Sequence, residues 1–218
     1  MAIPNTRGQR MTRERVLRGA LDLADEVGVD DLTIRRLADA LDSKPMTIYH
    51  YVSNKEEILD GIVDLVLGEI DLPDAELAWK PAIRARCVSA RQVLARHPWA
   101  VQLIDSRRSA GPATLRHSNA VIACLRGGLS WTMTAHAYAV LDAFVYGFVI
   151  QESSIPTSED DMAEVVQGMV DERFAQQFPD LHAFTVNHVL QPGYDFRAEF
   201  DFGLDLMLDQ IEALADNH

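Results

Sequence analysis

Thr47, Tyr49, His50 and Tyr51 fall within five positions, with Pro45 and Met46 just before them and Lys55 just after. Threonine can donate to base acceptors, tyrosine and lysine to phosphates, and a methionine side chain can touch a thymine methyl. No nucleophile–base–acid spacing, phosphate loop or metal motif accompanies them elsewhere in the chain. The chemistry these residues suit is recognition of a polyanion.

The elements that must hold them follow from the surrounding pattern. Thr12 can cap a helix to about 27, whose apolar side is Val16, Ala20, Leu23, Ala24 and Val27, with Gly28 ending it. Thr33 caps a second helix to 41, with Leu37, Ala38 and Leu41 inward. Asp42 and Ser43 break it, Asp tolerating a left-handed backbone. Pro45 is allowed in the first turn of a third helix, over 44–52. Ser53 and Glu56 read as a capping box opening a long helix over 53–71, with Ile58, Leu59, Ile62, Val63 and Val66 on its apolar face. Two helices with a short break, the second polar outward, describe a helix-turn-helix whose second helix can enter a DNA major groove. The bland alternative is an αα-hairpin inside a bundle.

Charge bears on that choice. The net charge is −13, which argues against a nucleic-acid partner until its distribution is read. Residues 1–55 carry +1 and residues 56–218 carry −14. Arg7, Arg10, Arg13, Arg15 and Arg18 gather at the front. Cys87 and Cys124 lie in apolar helical patterns and form no CxxC pair, which points to a reduced compartment and away from a structural zinc site. The opening MAIPNTRGQR has no apolar stretch, so a cytoplasmic location is expected.

Further along, Ile83, Cys87, Ala90 and Leu94 stripe a helix from Pro81, closed at His97-Pro98. A short helical segment is expected near 101–106, then a helix striped by Leu115, Asn119, Ile122 and Leu125. Ser130 caps the most apolar run, Trp131 to Ile150. That run has the length of a membrane span, but Thr132, Thr134, Tyr138, Asp142 and Gly147 interrupt it. It reads as a helix buried on nearly all sides, inside a domain or between subunits. Residues 152–161 read as a loop, 164–178 as a helix and 179–195 as irregular. A last helix over about 196–215 carries Phe200, Leu204, Met207, Ile211 and Leu214 as a packing stripe. The chain is predicted to be all-α.

DLTIRRLADALDSKPMTIYHYVSNKEEILDGI resembles the DNA-binding domain of the tetracycline-repressor (TetR) family, over about residues 12–63. WKPAIRARCVSARQVLARHP, YGFVIQE and FDFGLDLMLDQIEAL resemble the C-terminal domain of the tetracycline repressor's own subgroup. The resemblance implies a flexible basic arm at 1–10, a helix-turn-helix domain at 11–55 and a ligand-binding and dimerisation domain at 56–218. It implies a repressor that binds a palindromic DNA operator as a homodimer through helices 130–151 and 196–214, and is released by a small-molecule effector. Arg35, Pro45, Met46, Thr47, Tyr49, His50, Tyr51 and Lys55 match DNA-contacting positions. Arg86, Trp99, Arg107, Asn119, Trp131, Met133, His136 and Tyr138 are the candidates for the ligand pocket.

Departures from the tetracycline repressor are also legible. Its two drug anchors, a histidine and an asparagine, fall near Asp71 and Arg86, and its magnesium-binding histidine near Ile104. An aliphatic side chain cannot ligate a metal, so no metal or other cofactor is expected. Arg86 and Arg107 suggest an anionic or carbonyl-bearing, otherwise apolar effector. His97 matches a family histidine, but its place before Pro98 suits helix closure. The rival readings are a helical protein-interaction module without specific DNA binding, and an all-α enzyme.

Overall fold

Thr12 opens the first helix of the computed structural model, which describes residues 10–104, 110–155 and 170–215; every regular element among them is helical. The Thr12 hydroxyl accepts the Arg15 amide at 3.2 Å, and α1 runs Arg13–Val27. Gly28 closes it at φ 80°, its N–H on the Ala24 carbonyl at 2.9 Å. Nothing crowds a Cβ at Gly28, so the demand for glycine is the backbone angle itself. Thr33 caps α2, Ile34–Ala40, through the Arg36 amide. Asp42 takes the left-handed turn at φ 48°, and the Ser43 N–H returns to the Ala38 carbonyl. Pro45 stands at the start of α3, Pro45–Tyr49. Val16, Ala20, Leu37, Ala38 and Ile48 are wholly buried and make the small core of this head. Each large aliphatic side chain there contributes about 1.5–3 kcal/mol of burial.

α3 is shorter than its sequence predicts. The amides of His50 and Tyr51 turn to the carbonyls of Thr47 and Ile48, three residues back, and the helix tightens out before Val52. The following cap also shifts by one residue. Asn54, not Ser53, caps α4, Lys55–Glu69, and accepts the Glu57 amide at 2.9 Å. Glu57, not Glu56, reaches back, to the Ser53 N–H at 2.7 Å. That amide first, helped by Arg13 at 3.2 Å, holds the Glu57 carboxyl below its ordinary range. The Arg13 contact spans 44 positions.

The chain divides into two units, residues 1–138 and 139–218. In the first, α5 (Trp79–Arg96) starts two residues before Pro81, which its first turn accommodates, and buries Ile83, Cys87, Ala90 and Leu94. α6 is Pro98–Ile104, starting at the proline rather than near 101. α7, Pro112–Arg126, is rotated from the expected stripe. Its buried side is His117, Val121 and Leu125, whereas Leu115 is 60% exposed and Ile122 38%. Two anchors set that rotation. His117 is drawn in by Arg86, and the N-terminus is fixed by Asp64 of α4.

Gly111, the N-cap of α7, has no side chain to cap with. The Asp64 carboxylate substitutes, accepting the amides of Ala113 at 3.2 Å and Thr114 at 2.8 Å and the Thr114 hydroxyl at 2.8 Å. A Cβ at Gly111 would collide with the Asp64 carboxylate. Asp64→Ala should therefore lower stability by about 1–2 kcal/mol, as a cap and a helix-end charge are lost together. The check is a lower urea midpoint at unchanged slope.

α8, Trp131–Ser153, is the one helix among the described residues long and apolar enough to cross a membrane. Burial on nearly all sides within its own domain, one of the two expected placements, does not hold among the described residues. Thr134, Ala137, Leu141, Val145 and Phe148 are buried, but Trp131 is 69% exposed and Val140 and Ile150 each 48%. The described residues cover only one side of it. In the second unit, Phe144, Phe148, Phe196 and Phe200 form an aromatic cluster with ring centroids 4.8–5.9 Å apart. The stretch from 179, expected to be irregular, forms helix. α9 is Glu172–Gln177, α10 is Pro179–Phe184, and a π-helical turn follows over Thr185–Val189. The helix expected to begin at 164 has its first part outside the described residues. α11 is Ala198–Ala215. It buries Phe200, Leu204, Leu208 and Ile211, with Met207 half-buried and Leu214 exposed, so the stripe runs through Leu208.

Candidate nucleic-acid interface and ligand-binding region

α3 is held by one side chain. Ile48 is wholly buried, while Pro45, Met46 (69%), Tyr49 (48%) and His50 stand exposed around it. Five residues cannot sustain a helix alone, so the helix-turn-helix core fixes this display. Thr47 and Tyr51 are half-buried at its margins. Arg35 is exposed at the start of α2, and its neighbour Arg36 is occupied by the Asp31 carbonyl and carboxylate at 3.3 and 3.4 Å. Lys55 lies at the first turn of α4, its ammonium donating to the carbonyls of Val29 at 2.9 Å and Asp30 at 3.4 Å. An ammonium has three donors, so Lys55 both ties down the α1–α2 loop and keeps a donor. In the arm, Arg10 is exposed and Arg7 lies outside the described residues.

The second set of residues includes a buried cation. Arg86, 3% exposed on α5, donates its Nε–H to His117 Nε2 at 3.1 Å. An accepting Nε2 requires a neutral imidazole with its proton on Nδ1. Burial, and then the adjacent guanidinium, lower the His117 pKa to about 4. One position on, Ser118 accepts the Tyr138 hydroxyl at 3.2 Å. Thr134, one turn before Tyr138 on α8, is 3% exposed, and its hydroxyl lacks a hydrogen-bond partner among the described residues. A buried orphan hydroxyl is costly.

The pocket candidates separate into groups. Arg86 is buried against His117, Tyr138 is half-buried with its hydroxyl on Ser118, and Met133 is half-buried. Trp99 is buried, but its indole N–H is engaged by Asp25 at 2.7 Å. Asn119 and His136 are exposed, as is Trp131, whose ring carries the Arg126 guanidinium 4.2 Å from its centroid. Arg107 lies outside the described residues. His117 and Thr134 were missed in the sequence. The signal for His117 was a competing phase: His117, Val121 and Leu125 repeat every four residues, as regularly as the stripe containing Asn119.

Two family models match this chain. Residues 16–62 match the bacterial regulatory proteins of the tetR family, and residues 72–215 the tetracyclin repressor-like C-terminal domain. An HTH-type transcriptional regulator of Saccharopolyspora erythraea is 31% identical over 94% of this chain and 86% of its own length. The HTH-type transcriptional repressor DrrR1 of Streptomyces coeruleorubidus is 30% identical over 94% of this chain and 78% of its own. Among solved structures, the Streptomyces coelicolor TetR family protein ActR in complex with actinorhodin superposes with a TM-score of 0.77 at 27% identity, covering 95% of this chain and 99% of that one. With an outward-facing α3 on a helix-turn-helix core and both family domains matched along the chain, the protein is a TetR-family transcriptional regulator.

Proposed function

We propose that the protein is a ligand-responsive repressor, cytoplasmic, that binds a near-palindromic operator as a homodimer and leaves it when a small effector binds. The observation that carries this reading is α3 itself. Only Ile48 anchors it, and Pro45, Met46, Tyr49 and His50 face outward. Met46, Thr47, Tyr51 and Arg35 would set sequence preference, and Tyr49, His50 and Lys55 would position the duplex through phosphates. DrrR1 is named a repressor and ActR is a family member with a bound small molecule, which supports the same reading here.

The effector is a largely apolar molecule carrying an acidic or carbonyl group, held between α4, α5, α7 and the start of α8. Arg86 is the group that would meet its oxygen, because a buried guanidinium favours an anionic or strongly polarised partner. Asp64 ties α4 to the start of α7, so a ligand that moves α7 moves α4 and the separation of the heads. By linkage, DNA weakens effector binding by the same factor that effector weakens DNA binding. Driving the population from 1:99 to 99:1 takes about 5.5 kcal/mol of differential affinity.

The test is a mobility shift on the DNA flanking the protein's own gene, followed by titration of the complex. Lipophilic acids and ketones should include a compound that releases the duplex. Magnesium-tetracycline should not, because Asp71, Arg86 and Ile104 stand where its anchors would be. Release by micromolar magnesium-tetracycline would overturn the effector class. On the same DNA, Lys55→Ala should weaken specific and random duplexes alike and reduce the salt slope by about one unit. An altered sequence preference at unchanged slope would contradict the phosphate role.

A further inference from the structure

Three polar side chains meet where α1 ends. Asp25 lies in the last turn of α1, His97 closes α5, and Trp99 stands in the first turn of α6. Asp25 Oδ1 accepts the Trp99 indole N–H at 2.7 Å and lies 2.7 Å from His97 Nδ1. An indole only donates and an ionised carboxylate only accepts, so His97 carries its proton on Nδ1. His97 is 7% exposed and Trp99 9%, and their rings meet edge to face at 6.2 Å. On the other side of the imidazole, Nε2 is buried and faces Glu69 Oε2 at 3.5 Å. Glu69 ends α4 and takes the Arg96 guanidinium at 2.9 Å. The ends of α1 and α4 and the α5–α6 corner are thus joined at one polar point.

That point differs from the rest of the contact between α1 and α4. The Arg13–Glu57 pair at the other end of α1 is exposed to solvent, with side chains 54% and 34% accessible. Between the two ends the packing is apolar, with Leu17 lying over Gly61 so closely that a Cβ there would sit 2.6 Å from a methyl. Apolar contact is non-directional and tolerates a small rotation. Two short bonds to one carboxylate are directional and resist it. Neither the α3 surface nor the Arg86–His117 pair uses any of these side chains.

We propose that Asp25, gripped by His97 and Trp99, is the positioning residue that sets the angle of the DNA-reading head on the α5–α6 corner. In a dimer that angle fixes the separation of the two α3 helices. The consequence for DNA rests on the operator-binding reading above; the consequence for the head does not.

The test uses Trp99→Phe, which keeps the ring and removes the N–H, and Asp25→Asn, which keeps the shape and removes the charge. Three duplexes are compared: the operator, the operator with two base pairs inserted at its dyad, and a half-site. Both variants should lose about tenfold of the wild-type preference for native spacing, equivalent to ~1.4 kcal/mol, with half-site binding unchanged. A proportional loss on all three duplexes, at unchanged spacing preference, would overturn the proposal. Hydrogen exchange in the absence of DNA decides independently. The amides of α1–α3 should exchange about tenfold faster in Trp99→Phe, with those of α7 unchanged. Head amides exchanging as in the wild type would overturn the joint, even if Asp25→Asn fails to fold. A wild type with no operator would retire the regulatory reading and leave this exchange comparison to decide the joint.

Discussion

Phe202→Asp should leave the chain folded and abolish operator binding. Phe202 on α11 is 69% exposed and Leu206 53%, and neither contributes to the aromatic cluster of the second unit. Val140 and Ile150 on α8 are each 48% exposed. Large apolar side chains displayed along helices in this way mark an interaction surface, and a second copy of the chain is the partner proposed here. A charge at Phe202 would have to be desolvated on association. Since each half-site is held weakly alone, loss of the dimer should cost operator affinity about 100-fold or more, which corresponds to ~2.7 kcal/mol. Leu204→Asp makes the contrast. Leu204 is wholly buried within its own chain, so that variant should unfold the second unit instead. Sedimentation velocity with far-UV circular dichroism separates the two outcomes. A wild-type monomer at micromolar concentration would remove the dimer from the account.

The second large effect is on pH. The His117 pKa is lowered to about 4 from 6.5, by burial first and then by Arg86. Between those values the unfolded chain binds a proton that the folded chain refuses. Stability at this site is therefore full above about pH 6.5 and declines as pH falls toward 4, by roughly 2–3 kcal/mol. His117→Gln keeps an acceptor for the Arg86 Nε–H and removes the titration. It should flatten the dependence of the urea midpoint on pH in that window, while the wild type retains a rising slope. Equal slopes in the two proteins would mean that His117 is not held neutral in the fold.

What the sequence made legible was local. The caps at Thr12 and Thr33, the left-handed Asp42 and the Pro45 start each involve groups within a few residues, and propensity and capping chemistry suffice to place them. The stripe of α5 was likewise legible, because its four apolar positions have no competing phase. α7 shows the limit. Its two candidate faces are equally periodic, and the choice is made by Arg86 from 31 positions away and Asp64 from 50. The cap of α4 lies one residue later than expected because Asn54 and Glu57 offer a capping box in competition with Ser53 and Glu56. Asp25, His97 and Trp99 meet across 72 and 74 positions. His97 before Pro98 was legible as a helix closure and as a match to a family histidine, and it does close α5, but its place in a joint with Asp25 and Trp99 was not legible. The apolar faces of α8 and α11 were legible in the sequence, but not which of their residues stay exposed on a single chain. Periodicity reports that a face is apolar, not whether its own chain covers it.

Base-resolution footprinting of the purified protein on the DNA flanking its own gene tests the central claim most directly. Two protected half-sites related by a dyad, with centres roughly 34–36 Å apart along the duplex, are the predicted result, and Phe202→Asp should lose both together. Weak, uniform protection that scrambling the half-sites leaves unchanged would contradict the account.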